Sequence, residues 1–147
     1  MRKPKLTHAP REDGAAAVEF GLVAVFLLTL LIGIIQFAIF FWAYQVGAHA
    51  AREGARQYAV HPCDVVSNDA LVVSRVGAAA PAAAPTVTHN YAKGLGNSLT
   101  GVREVGDQVT VSVSFSSFNL GVLPGFTGTV SKSATARLEN IPTGCTP

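Results

Sequence analysis

The chain has 147 residues, of which 49% are hydrophobic and only 14% are charged, against about 25% charged residues in typical soluble domains. This composition excludes an intrinsically disordered chain. The formal net charge is only +2 and the eleven Lys and Arg residues are scattered, whereas a nucleic-acid-binding face needs a concentrated basic patch. We therefore expect no nucleic-acid partner.

A short basic leader, residues 1–14, opens the chain. The remaining seven basic and seven acidic residues of the chain balance, so the whole net charge belongs to this leader. An excess of Lys and Arg beside a membrane segment predicts a cytoplasmic N-terminus. The charged residues of the leader are Arg2, Lys3, Lys5, Arg11, Glu12 and Asp13.

A long uncharged segment follows the leader, because residues 20–51 include no Asp, Glu, Lys or Arg. A helix over residues 20–44 would be about 37 Å long, enough to cross a hydrocarbon core of about 30 Å. Trp42 and Tyr44 fall where this helix would leave the hydrocarbon, a depth that favours amphipathic rings. We therefore predict one transmembrane helix over residues 15–45.

A cleaved secretory signal peptide is the alternative interpretation of this segment. Its apolar core would be about 7–15 residues long and would be followed by a cleavage site of small residues. The only candidate site, Ala48-His49-Ala50, comes after a core that is much longer. We favour the membrane anchor, which makes residues 46–147 an extracytoplasmic domain.

The helical pattern continues beyond the membrane over residues 46–61, ending near Val60 because Pro62 disfavours helical geometry. In this part a small residue recurs at every fourth position, and such a stripe lets another backbone approach closely. The stripe consists of Ala43, Gly47, Ala51, Ala55 and Ala59.

A second, shorter helix is predicted over residues 64–80. Asp64, Ser67 and Asn68 are candidate N-caps, and Pro81 ends the helix. The Ala- and Pro-rich residues 78–85 are interpreted as a linker.

The C-terminal part, residues 84–139, changes to the two-residue period of strands. Apolar and polar residues alternate strictly over residues 109–116, and less cleanly over residues 130–138 and 86–91. We predict three antiparallel strands that pack on the first helix and expose their Ser/Thr face. The expected fold class is therefore a membrane-anchored α+β protein. The apolar loop at residues 120–126 either covers the core or contacts lipid or a neighbouring subunit.

Both cysteines, Cys63 and Cys145, belong to the predicted extracytoplasmic domain, where a disulfide can form and persist. Such a link would stabilise the domain by about 4–5 kcal/mol in the chain-entropy model. Two free thiols are the alternative, because the spacing of two cysteines does not decide between them.

No combination of residues predicts catalysis, a cofactor or a metal site. The alternating serines of residues 112–117 have no neighbouring histidine or acid to activate them. His61 and Cys63 could supply two metal ligands, fewer than a site requires. We expect no enzymatic activity, no cofactor, no metal and no small-molecule substrate.

Glu19 is the most informative charge, because a carboxylate at the entrance of a membrane helix is costly unless it is paired. A passive role is the alternative, since the start of a helix favours a negative charge. The surrounding pattern Gly14-Ala15-Ala16-Ala17-Val18-Glu19-Phe20 resembles the processing site of type IV pilins. Together with residues 50–56 and 134–139, it makes the chain resemble the TadE/TadF family of pilin-like proteins from tight-adherence (Flp) pilus systems.

The resemblance implies that a membrane prepilin peptidase cuts after Gly14 and leaves Ala15 as the new N-terminus. Glu19, followed by Phe20, would then pair with the freed amine of a neighbouring subunit and set the axial register. The residues implied in helix packing are Gly21, Gly47, Ala51 and Ala55.

The length of the exported domain points to a minor pilin-like subunit, since the major pilins of this system are very short. The implied partners are other pilin-like subunits, the pilus assembly machinery and the prepilin peptidase. The implied location is the bacterial inner membrane or the pilus itself. The alternative is an unprocessed, single-pass membrane-anchored binding module that never enters a filament.

Overall fold

The computed structural model describes residues 13–97, 102–121, 127–143 and 145. Residues 1–12 of the predicted leader and residues 122–126 of the predicted apolar loop lie outside this description. The chain divides into two compact units, Met1–Ile35 and Gln36–Pro147.

The described part of the first unit belongs to one helix, α1, which extends from Asp13 to Val60. Its side chains over residues 14–35 are almost all apolar, and nearly all of them are exposed. A helix that is apolar on every side is suited to lipid and not to water. Among the described helices, α1 alone is long and apolar enough to cross a membrane, and it is therefore the candidate membrane anchor.

The helices of the second unit end where glycine or proline requires it. The end of α1 at Val60 confirms the predicted stop before Pro62. A second helix, α2, extends from Val65 to Val76, and the Asp64 carboxylate caps it by accepting a hydrogen bond from the Ser67 amide (3.3 Å). It is shorter than the predicted helix over residues 64–80, because Gly77 takes a positive φ of 45° that interrupts the helix. A 3-10 turn follows over Gly77–Ala79.

Three antiparallel strands complete the second unit and confirm the predicted α+β class. They are β1 (Thr86–Ala92), β2 (Gln108–Ser116) and β3 (Thr129–Arg137), in the spatial order β1-β2-β3. The Ser and Thr side chains alternate on the more exposed face, while the valines of β2 are buried on the other. The sheet therefore has the two-sided character that the alternation predicted.

The buried face of the sheet packs on the small residues of α1. Ala43, Ala51 and Ala55 are buried there. A Cβ atom added at Gly47 would lie 3.0 Å from the Phe115 ring. The small-residue stripe therefore admits side chains from the protein's own sheet.

Gly54 serves the same packing about two turns after Gly47 along α1. A Cβ atom added there would lie 2.5 Å from Val72 of α2 and 3.2 Å from Val111 of β2. Real Cβ atoms avoid contacts this short, so the glycine lets both elements approach α1 closely. The core is thus assembled around positions where α1 has almost no side-chain bulk.

Candidate functional site

The predicted processing and assembly residues occupy the exposed beginning of α1. Gly14, Ala15, Glu19, Phe20 and Gly21 are all exposed there. A Cβ atom added at either glycine would meet nothing within 4 Å. These side chains are therefore accessible to contacts from outside the chain.

The other predicted packing residues are in a different environment. Gly47, Ala51 and Ala55 are buried against the sheet within the second unit. Gly21 lies in the first unit and has open space around it. The structure thus gives the four residues two roles, since three form the intramolecular core and only Gly21 is open to another helix.

Gln36 is a buried polar residue whose role was not predicted from the sequence. Its side chain is only 1% exposed. The Gln36 Nε2 donates to the Phe118 carbonyl (3.1 Å), and the Leu120 amide donates to Gln36 Oε1 (2.8 Å). Both ends of the amide are therefore used to fix the segment that follows β2. A lone amide inside an apolar helix was the signal, because such a group is costly without partners.

Tyr58 is buried at the centre of a ring cluster between the two helices and β1, and the other two rings are partly buried. Its hydroxyl donates to Asp69 Oδ1 (2.8 Å), and its ring stacks on His89 with centroids 4.7 Å apart. The His89 ring in turn meets the edge of Tyr91 at 5.9 Å. Burial, and then the hydrogen bond to Asp69 and its negative charge, raise the pKa of Tyr58 far above its usual value. The Tyr58 hydroxyl therefore keeps its proton, which it donates in the hydrogen bond to Asp69.

Arg103 connects this cluster to the cysteines. Its guanidinium carbon lies 4.1 Å from the centroid of the Tyr91 ring, and its Nη1 donates to the Pro62 carbonyl (3.0 Å). The Tyr91 hydroxyl donates to the same carbonyl (3.2 Å). Cys63 and Cys145 lie at disulfide distance, with their Cα atoms 5.7 Å apart. The loop after α1 is therefore held by the hydrogen bonds to the Pro62 carbonyl and by the contact of Cys63 with Cys145.

Asp107 organises the connection between β1 and β2. Its carboxylate is 2% exposed and accepts hydrogen bonds from the Gly94 amide (3.0 Å), Asn97 Nδ2 (2.8 Å), the Glu104 amide (2.9 Å) and Lys93 Nζ (3.1 Å). Burial alone would raise the pKa of Asp107, but these four donors outweigh it and hold the pKa well below its usual value. The arrangement is that of a buried structural carboxylate.

The charged residues along α1 outside these clusters remain at the surface. Glu53 lies 3.9 Å from Arg75 of α2, and both side chains are exposed, so the pair contributes little to stability. Within the residues that the structure describes, no three His, Cys, Asp or Glu side chains are grouped so that they could hold a metal ion.

Comparison with known families identifies the first helix. Residues 14–56 match the family described as TadE-like protein. No curated protein and no solved structure gave a match. The matched segment begins at Gly14 and includes Glu19, Gln36 and the small residues under the sheet, but not α2 or the strands. The first helix therefore carries the TadE-like family pattern, which is consistent with a TadE-like protein of tight-adherence pilus systems.

Proposed function

We propose that this chain is a minor pilin-like structural subunit of the tight-adherence (Flp) pilus apparatus, active in pilus assembly and adhesion. The observation that supports this role is the family match, which begins at Gly14 and includes the apolar and largely exposed residues 14–35. A prepilin peptidase would cut after Gly14 on the cytoplasmic side. The protein would have a structural role and no catalytic activity.

Helix α1 has the physical properties that such a role requires. The protein would be inserted in the inner membrane with its N-terminus in the cytoplasm, as the basic leader favours. Apolar side chains on all faces can exchange lipid contacts for contacts with neighbouring helices, since neither contact needs a polar partner. Glu19 is the exception, and a freed amine at Ala15 of a neighbouring subunit would satisfy its carboxylate in a medium of low dielectric constant.

Cleavage is tested by the intact mass of the protein purified from its native membrane. We expect the loss of residues 1–14, so that the mature chain begins at Ala15. Gly14→Leu should block cleavage, because a bulky side chain would replace the unhindered backbone beside the cut. Gly21→Leu is the matched control, since both positions are open in the structure. An intact N-terminus at Met1 or Arg2 in the wild-type protein would contradict the processing step.

Glu19→Ala distinguishes a subunit that assembles from one that only anchors. Loss of one partner of a desolvated ion pair costs about 3–5 kcal/mol, so piliation should fall severely while the protein level and the processed mass stay normal. Glu53→Ala is the control, because Glu53 lies on the same helix outside the apolar segment, and its 3.9 Å pair with Arg75 contributes little to stability. Unchanged piliation, counted by electron microscopy, would favour the unprocessed membrane-anchored binding module.

A further inference from the structure

The segment that follows β2 is attached to α1 at a particular depth. This segment, residues 117–121, is called here the β2 end segment. Gln36 binds it through both of its amide groups, to the Phe118 carbonyl at 3.1 Å and to the Leu120 amide at 2.8 Å. The position of Gln36 along α1 therefore sets the position of Phe118 and Leu120.

Gln36 lies on the membrane side of the aromatic residues of α1. Trp42 and Tyr44 are placed where an anchoring helix leaves the hydrocarbon. Gln36 precedes Trp42 by six residues, which is about 9 Å along a helix axis. In a protein anchored with its N-terminus in the cytoplasm, side chains bound at the level of Gln36 would therefore lie below the aromatic belt, within the outer leaflet.

Lys132 of β3 lies at the level of the same aromatic belt, at the expected edge of the hydrocarbon. Its ammonium lies 3.2 Å from the centroid of the Tyr44 ring, at the level where a lysine can reach headgroups. In the register, Lys132 is opposite Val113, and β2 continues for three more residues to Ser116 before the β2 end segment begins. The sequence has no charged residue from position 108 to position 131. No charge would have to enter lipid with this segment.

The β2 end segment presents apolar side chains at this depth. Phe118 is 49% exposed and Leu120 is 39% exposed, and Phe37 and Phe41 on the same stretch of α1 are 66% and 62% exposed. Exposed apolar residues next to an anchor are costly in water and favourable in hydrocarbon. Backbone groups at membrane depth also need partners, and Gln36 supplies one for the Phe118 carbonyl and one for the Leu120 amide.

We propose that Phe118 and Leu120 insert into the outer leaflet beside α1 and form a second contact of the protein with lipid. This contact rests on α1 being a membrane anchor, but not on cleavage after Gly14 or on entry into a filament. It would fix the extracytoplasmic unit against the membrane surface through two elements.

Depth-dependent quenching tests the contact in the full chain, reconstituted as one copy per nanodisc with brominated phosphatidylcholine. Trp42 is first replaced by phenylalanine, because it is the only tryptophan. A new tryptophan is then introduced by Phe118→Trp or, separately, by Leu120→Trp. Phe37→Trp reports on the anchor, and Val66→Trp, an exposed position at the start of α2, reports on the part of the domain away from the membrane.

We expect the tryptophans at positions 118 and 120 to lose most of their fluorescence to brominated lipid, as the tryptophan at position 37 does, while that at position 66 is unaffected. If positions 118 and 120 both escape quenching while position 37 is quenched, the lipid contact is wrong and the anchor stands. If position 37 also escapes quenching, the anchor itself is wrong. Two independent insertion positions keep the test valid should one variant fail to fold.

Discussion

Replacing Cys63 and Cys145 together by serine should lower the free energy of unfolding by about 4–5 kcal/mol. The two residues lie at disulfide distance and are separated by 82 positions in the chain. A link of that span removes many conformations from the unfolded state, so its loss favours unfolding. The change is measured by urea unfolding of the full chain in detergent micelles, followed by the near-ultraviolet circular dichroism of the packed tyrosines Tyr58 and Tyr91.

Reduction supplies the matched control for this prediction. The wild-type protein in excess reductant should unfold at the same urea concentration as the double serine variant, since both lack only the covalent link. Alkylation without reductant should add no mass to the wild-type protein. Two alkyl groups per chain under those conditions would show free thiols, and the predicted loss of stability would then be absent.

Replacing Asp107 by asparagine should lower the free energy of unfolding by about 3 kcal/mol, in the range for breaking hydrogen bonds to a buried charged group. The Asp107 carboxylate accepts four donors from residues 93–104. An asparagine can accept at only one of its two terminal atoms, so its amide nitrogen would face other donors. The same urea titration measures the effect.

The pH dependence of stability gives an independent readout of Asp107. Because its pKa in the folded protein is held below the usual value, its contribution to stability is fully present above about pH 4 and is lost as the pH falls towards the folded pKa. Asp107→Asn should therefore flatten the acid side of the stability profile. Asp64→Asn should not, since asparagine caps a helix as well as aspartate does. An unchanged acid profile in Asp107→Asn would contradict the role of the carboxylate.

Local sequence patterns predicted the helices and strands closely. The boundaries of α1 follow from a continuous helical pattern that ends at Pro62. The three strands follow from the alternation of apolar and polar residues. These patterns are informative because the spacing of apolar residues along a segment reflects both its secondary structure and the face that it buries. The exception is the end of α2, which Gly77 shortens through its own backbone conformation.

The buried polar contacts were not predicted, because their partners are far apart in the chain. Gln36 bonds residues more than eighty positions away, and Arg103 reaches Pro62 across forty-one positions. The sequence shows that Gln36 has a side-chain amide and Arg103 a guanidinium. The residues next to them in the chain, however, do not indicate which distant carbonyl groups they contact. Asp107 and its donors are nearer in sequence, yet only the closing of β1 on β2 brings them together.

The sequence by itself determined that the hydrophobic surplus is concentrated in α1, that the basic leader favours one orientation, and that the part of the chain after the apolar segment is α+β. These features depend on composition and periodicity, which act along the chain. Only the tertiary structure decided which small residues of α1 form the core, that Cys63 and Cys145 lie at disulfide distance, and where Phe118 and Leu120 are held. Those outcomes depend on packing between distant segments, whose geometry no single segment encodes.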